Sequence, residues 1–102
     1  MSADEIHKND VGTIFTVTIY DNTSLVDIST ALTKQLIFRK PNSSLLTASG
    51  TFVTNGVDGK MQYTAVSGDL DQVGNWKLQA KLIFSSGTFF SDITRFKVYE
   101  NL

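Results

Sequence analysis

A chain of 102 residues with nine Lys and Arg against ten Asp and Glu has the length of one domain and a net charge of −1, so neither a second domain nor a strongly charged body is expected. It contains no cysteine, which excludes disulfides, thiolate metal sites and a cysteine nucleophile. No block of like charge is present, which argues against a nucleic-acid surface, and no apolar stretch approaches the ~20 residues of a membrane span.

The chain begins with ten polar-rich residues, Met1 to Asp10, that lack the apolar run of a signal peptide. Residues 1–11 are therefore expected to be a polar N-terminal arm, and residues 12–102 a single β-sandwich. The first strand is expected over Thr13 to Tyr20, where Phe15, Val17 and Ile19 alternate with Thr16, Thr18 and Tyr20. Asp21-Asn-Thr-Ser24 reads as the turn that closes it, Leu25 to Ile28 as a short edge piece, and Ser29 to Leu32 as a connecting turn. Thr33 to Lys40 is a second strand, ended by Pro41 and the turn formers Asn42-Ser43-Ser44; Leu36 and Phe38 compete with Ile37 for its inner face.

Leu45 to Val53 is a strand interrupted at Gly50, where a bend or bulge is expected. The dipeptides Asn55-Gly56 and Asp58-Gly59 then mark a hairpin into Lys60 to Val66, and Ser67 to Asp71 forms a polar connection with room for one helical turn. The clearest element follows: Trp76, Leu78, Ala80, Leu82 and Phe84 fall on one face of a strand, with Lys77, Gln79 and Lys81 on the other. A Ser85-Ser86-Gly87 turn leads to a last strand over Thr88 to Tyr99, with Phe96 and Val98 inward and Arg95, Lys97 and Tyr99 outward. Short strands spaced by turns predict an all-β, antiparallel two-sheet sandwich of six to seven strands whose core includes Phe15, Val17, Trp76, Leu78, Leu82 and Phe96.

Groups fit for chemistry are sparse. His7 is the only histidine and sits in the arm, so neither a metal site nor a serine nucleophile with a histidine base is expected. Asp69 and Asp71 read as turn and cap residues rather than a calcium loop, which needs more acidic oxygens in sequence. Asn22-Thr-Ser24 and Asn42-Ser-Ser44 match the glycosylation acceptor pattern and read as turns. Trp76 could in principle offer a sugar platform, but its place in the strongest strand assigns it to the core. Phe89 and Phe90 are adjacent on a strand and must point to opposite faces, so one of them is expected at the surface or under a loop. They and His7 are the candidate partner contacts.

The succession Asp10-Val-Gly-Thr-Ile-Phe-Thr-Val17, Val26-Asp-Ile-Ser29, Phe38-Arg-Lys-Pro41, Asp58-Gly-Lys-Met-Gln-Tyr63, Gly68-Asp-Leu-Asp-Gln-Val-Gly-Asn-Trp76 and Phe84-Ser-Ser-Gly87 resembles the N-terminal immunoglobulin-like domain of phage baseplate upper proteins. The resemblance covers about residues 10–99 and lies in the order of the motifs. Trp76 stands where such domains often carry a corner tyrosine. What the resemblance implies is an immunoglobulin-like sandwich serving as a structural or docking part of a tail or baseplate, without catalysis or cofactors. Its partners would be other virion subunits rather than nucleic acid or membrane. It would be a monomer or weak oligomer alone, present in several copies in the particle and found in the host cytoplasm before assembly. A carbohydrate-binding or adhesin-like module is the alternative, and a small hydrolase the third reading.

Overall fold

Eleven strands make up the framework of the computed structural model, which describes residues 6–21 and 24–101. No helix occurs among these residues, so the chain is all-β. The turn read at Asn22-Thr-Ser24 and the first five residues of the arm lie wholly or partly outside them.

The long strand β9 (Gly74–Phe84) is the axis of the larger sheet, and its alternation is reproduced in space: Trp76, Leu78, Ala80 and Leu82 are buried while Lys77 is exposed. On one side it pairs antiparallel with β5 (Thr33–Arg39), which in turn pairs with β6 (Leu45–Ser49). On the other it pairs with β10 (Gly87–Phe90) along one half and β11 (Thr94–Tyr99) along the other. β1 (Ile6–His7) completes this sheet, in the order β1-β11-β9-β5-β6 with β10 beside β9. The smaller sheet runs β2-β8-β7, with β2 at Ile14–Thr18, β7 at Thr51–Phe52 and β8 at Lys60–Thr64. A two-stranded ribbon joins β3 (Tyr20–Asp21) to β4 (Ser24–Leu25).

The two sheets meet through aromatic rings. Phe15 of β2 lies 5.1 Å from Phe38 of β5, edge to face, and 5.0 Å from Phe96 of β11. Trp76 is directly opposite Phe96 across the ladder and stacks on it at 5.7 Å. Such offset and edge contacts contribute about 0.5–1.5 kcal/mol each beyond the area they bury. On β5 the buried residues are Leu36 and Phe38, which settles the competition with Ile37.

Several expectations are corrected. Residues 1–11 are not wholly an arm: Ile6 and His7 form a strand parallel to Val98 and Tyr99, and Ile6 packs against the core. The pairing is therefore not purely antiparallel. Ser67 to Asp71 holds turns rather than a helical turn. Finally, the last strand is broken at residues 91–93, because Phe90 opposes Lys81 while Thr94 opposes Leu78, so three residues face two on β9. This bulge is held by Ser91, whose hydroxyl accepts the Ala80 amide at 2.8 Å and donates to the Asp92 carbonyl at 2.9 Å. Breaks of this kind raise the number of strands above the expected six to seven.

Gly50 is the other point of discontinuity. β6 belongs to the larger sheet and β7 to the smaller, so the chain crosses between sheets at this single residue. A Cβ there would lie 2.7 Å from both Leu36 Cδ1 and Met61 Cε, one from each sheet. Only glycine fits without displacing both.

Candidate interaction surfaces

The bulge at residues 91–93 decides which way the two candidate aromatics point. In an unbroken strand Phe90 would share the face of Phe96; the extra residue inverts the alternation and brings Phe89 opposite the core residue Leu82, and Phe90 opposite Lys81. Phe89 nonetheless remains 54% exposed, and its ring packs edge to face on Phe84 at 5.6 Å. Phe90 is 57% exposed, with Lys81 Nζ 5.9 Å from its ring centre. One of the two was expected at the surface or under a loop, and both are more than half exposed.

Beside them a cleft of about 480 Å³ opens between the β9–β10 hairpin and residues of the 19–30 segment, floored by Ile19, Leu82 and Phe84 and rimmed by Tyr20, Val26, Asp27, Thr30, Phe89 and Phe90. A second, more polar hollow of about 270 Å³ continues past Phe90 along Thr16, Thr18, Ser91, Asp92 and Thr94. β2 ends the smaller sheet on this side, so exposed aromatics and an unpaired strand edge share one flank of the molecule. Among the described residues lining the cleft Asp27 is the acidic one; hydrogen bonds from the Ser29 side chain and its amide (2.9 Å to Oδ1) hold its carboxyl below the usual aspartate value.

His7 is half-buried in β1, its amide donating to Asp10 Oδ2 at 2.9 Å and its ring tilted against Tyr99 at 6.0 Å. It thus belongs to the sheet edge and not to a free arm.

The corner leading into β9 holds the two aspartates. Asp69 Oδ2 accepts the Tyr63 hydroxyl and the Val66 amide, the latter at 2.9 Å, and so caps its own turn. Burial first, then the hydrogen bond and charge of Asp69, pushes the Tyr63 phenol up to about 12. Asp71 pairs with Lys40 Nζ at 2.9 Å. Trp76, fully buried, donates its indole N–H to the carbonyl of Gln72 at 3.0 Å, four residues back. Among the described residues no group of three His, Asp or Glu is placed to hold a metal ion. Asn42 Oδ1 accepts the amide and hydroxyl of Ser44 at 3.0 and 2.7 Å, so its side chain is used within the turn.

One surface was not legible in the sequence. The outward positions of β5, β9 and β11 carry Arg39, Lys77, Lys81, Arg95 and Lys97, and the ladder sets Arg39 opposite Lys77 and Lys77 opposite Arg95. Residues far apart in the chain thus form a cationic row, although no basic run exists. No family model matches this chain, and no curated protein matches it.

Proposed function

We propose that this chain is an immunoglobulin-like docking module of a phage or prophage virion, placed in the tail or baseplate and acting by protein contacts without catalysis or a cofactor. Strand order supports the immunoglobulin-like part of the reading. Taking β2, β5, β6, β7, β8 and β9 as strands B, C, C′, D, E and F, and β10 with β11 as a bulged G, the sheets become B-E-D and G-F-C-C′. The corner supports it too: the Trp76 indole makes the bond back to the turn that a corner tyrosine makes through its hydroxyl. The motif order described above is what suggests the virion.

The observation that carries the docking role is the flank where Phe89, Phe90 and Tyr20, all more than half exposed, border the 480 Å³ cleft and the free edge of β2. Exposed rings beside an unpaired edge are costly in isolation and useful against a partner. The test is production of the intact chain and a Phe89→Ser/Phe90→Ser variant during infection, followed by immunoblotting of purified particles. The intact chain should be found in particles and the variant depleted, with melting temperatures nearly equal. Absence of both from particles would sink the virion assignment.

The glycan-binding alternative is favoured by one specific feature: Asp27 and Thr30 stand on the same cleft as Tyr20 and Phe89, combining rings with polar groups that hydroxyls can bond. Saturable binding on a glycan array, lost in Phe89→Ser, would move the conclusion to that reading.

A further inference from the structure

The row Arg39–Lys77–Arg95 is an arrangement that a sheet avoids without a reason. Directly opposite side chains on neighbouring strands stand about 5 Å apart, and like charges so placed destabilise the ladder. Here two such pairs are consecutive. Lys81 follows on the same face of β9 and Lys97 on the same face of β11, so five of the nine Lys and Arg of a chain with net charge −1 share one sheet face. The strands that build that face contain no Asp or Glu. Among the described residues the only ion pair, Lys40 with Asp71, leaves the row unneutralised.

The face is not uniformly polar. Between the row and Lys81 lies a shallow depression of about 360 Å³ lined by Ile37, Leu45, Gln79 and Ile93, and Leu45 and Ile93 are 57% and 47% exposed. Apolar centre and charged surround is the anatomy of a protein interface. A phosphodiester backbone would satisfy the cations but offers no aliphatic groups to the depression, and the rings of this face, Phe90 and Tyr99, lie outside the depression with Lys81 and Lys97 against them at 5.9 and 4.9 Å from their centres.

We infer that the outer face of the six-stranded sheet is a second docking surface, and that its occupant is a protein segment presenting carboxylates around aliphatic side chains. The inference rests on the proposed docking role for its setting, and on the sheet face for its chemistry. Lys77 is the centre of the row and the residue whose charge costs the fold most, with a cation on each side.

The test uses a short fluorescent peptide of alternating Glu and Leu, its Lys and Leu counterpart, and a fluorescent oligothymidine, titrated with the intact chain and read by anisotropy. The Glu peptide should bind, weakening as salt is raised, and the Lys peptide should not. Lys77→Glu turns the row into alternating charges, so it should raise the melting temperature while weakening the Glu peptide roughly tenfold or more. Leu45→Ser should weaken the peptide several-fold at unchanged melting temperature. Failure of the intact chain to bind the Glu peptide, binding unaffected by Lys77→Glu, or tighter binding of oligothymidine would each overturn the inference. Particle incorporation is read separately: an intact chain present in particles but blind to the peptide sinks this inference alone, and one that binds the peptide but is never in particles sinks the virion reading alone.

Discussion

Trp76 combines two roles that substitution separates. Its ring fills the centre of the core against Phe96, and its indole N–H satisfies the Gln72 carbonyl. Trp76→Ala should cost about 3–5 kcal/mol, as truncations of large buried aromatics do. Trp76→Phe keeps most of the packing and drops the bond, and should cost about 1–3 kcal/mol. Urea unfolding of both variants checks this, and equal costs would show that the bond and not the ring carries the corner. Tyr63 gives a pH signature. Its phenol titrates at about 12 in the folded chain against 10.0 when unperturbed, so the folded state holds the proton more tightly. The associated stability is complete below pH 10 and lost as pH rises towards 12. Tyr63→Phe, which loses the bond to Asp69, should be less stable than the intact chain at neutral pH and, with no phenol to ionise, should lose less stability through that window, which thermal melts at a series of alkaline pH values would read.

At the scale of elements, the structure reverses the expectation for the N-terminal segment. Lys8 N donates to Tyr99 O at 2.9 Å, Asn9 N to Leu70 O at 2.7 Å, and Asn101 Nδ2 to Lys8 O at 2.7 Å, while Ile6 covers part of the core. Deleting residues 2–9 should cost about 1–3 kcal/mol. For a domain of this size that lowers the melting temperature by several degrees, and an unchanged melt would show that β1 contributes nothing. Why the sequence concealed this strand is plain: two residues cannot display an alternation, and their pairing depends on a partner some ninety residues away. β9 was legible because eleven residues repeat a period of two. Pro41 and Gly50 were legible because their backbone chemistry limits what the chain can do around them. The bulge was not, since no Gly or Pro marks Ser91-Asp92-Ile93 and only the ladder shows the extra residue. The cationic row was hidden for a third reason: it is produced by register, with each strand giving one or two charges.

For the molecule as a whole, charge and shape divide the surface into distinct regions. The elongated body, 46 × 26 × 25 Å, bears cations on one broad face, rings along one flank and aspartates in the connecting turns. The carboxylates of those turns are engaged by amides, a phenol and a lysine. Millimolar calcium should thus leave the melting temperature unchanged. A rise of several degrees would reveal a site by mass action and overturn the turn-and-cap reading of Asp69 and Asp71.

The parallel pairing of residues 6–7 with 98–99 also fixes the order of events during synthesis. Ile6 leaves the ribosome ahead of its strand partners Val98 and Tyr99 by several seconds at about 5–20 residues per second. The rest of the larger sheet can be assembled by then, and closing β1 onto β11 spans nearly the whole described chain. Closing so long a loop for a two-residue strand gains little at the transition state of refolding, so β1 is expected to join after the nucleus has formed. Ile6→Ser should consequently speed unfolding and leave the refolding rate nearly unchanged, the two arms of the chevron recording when the strand arrives.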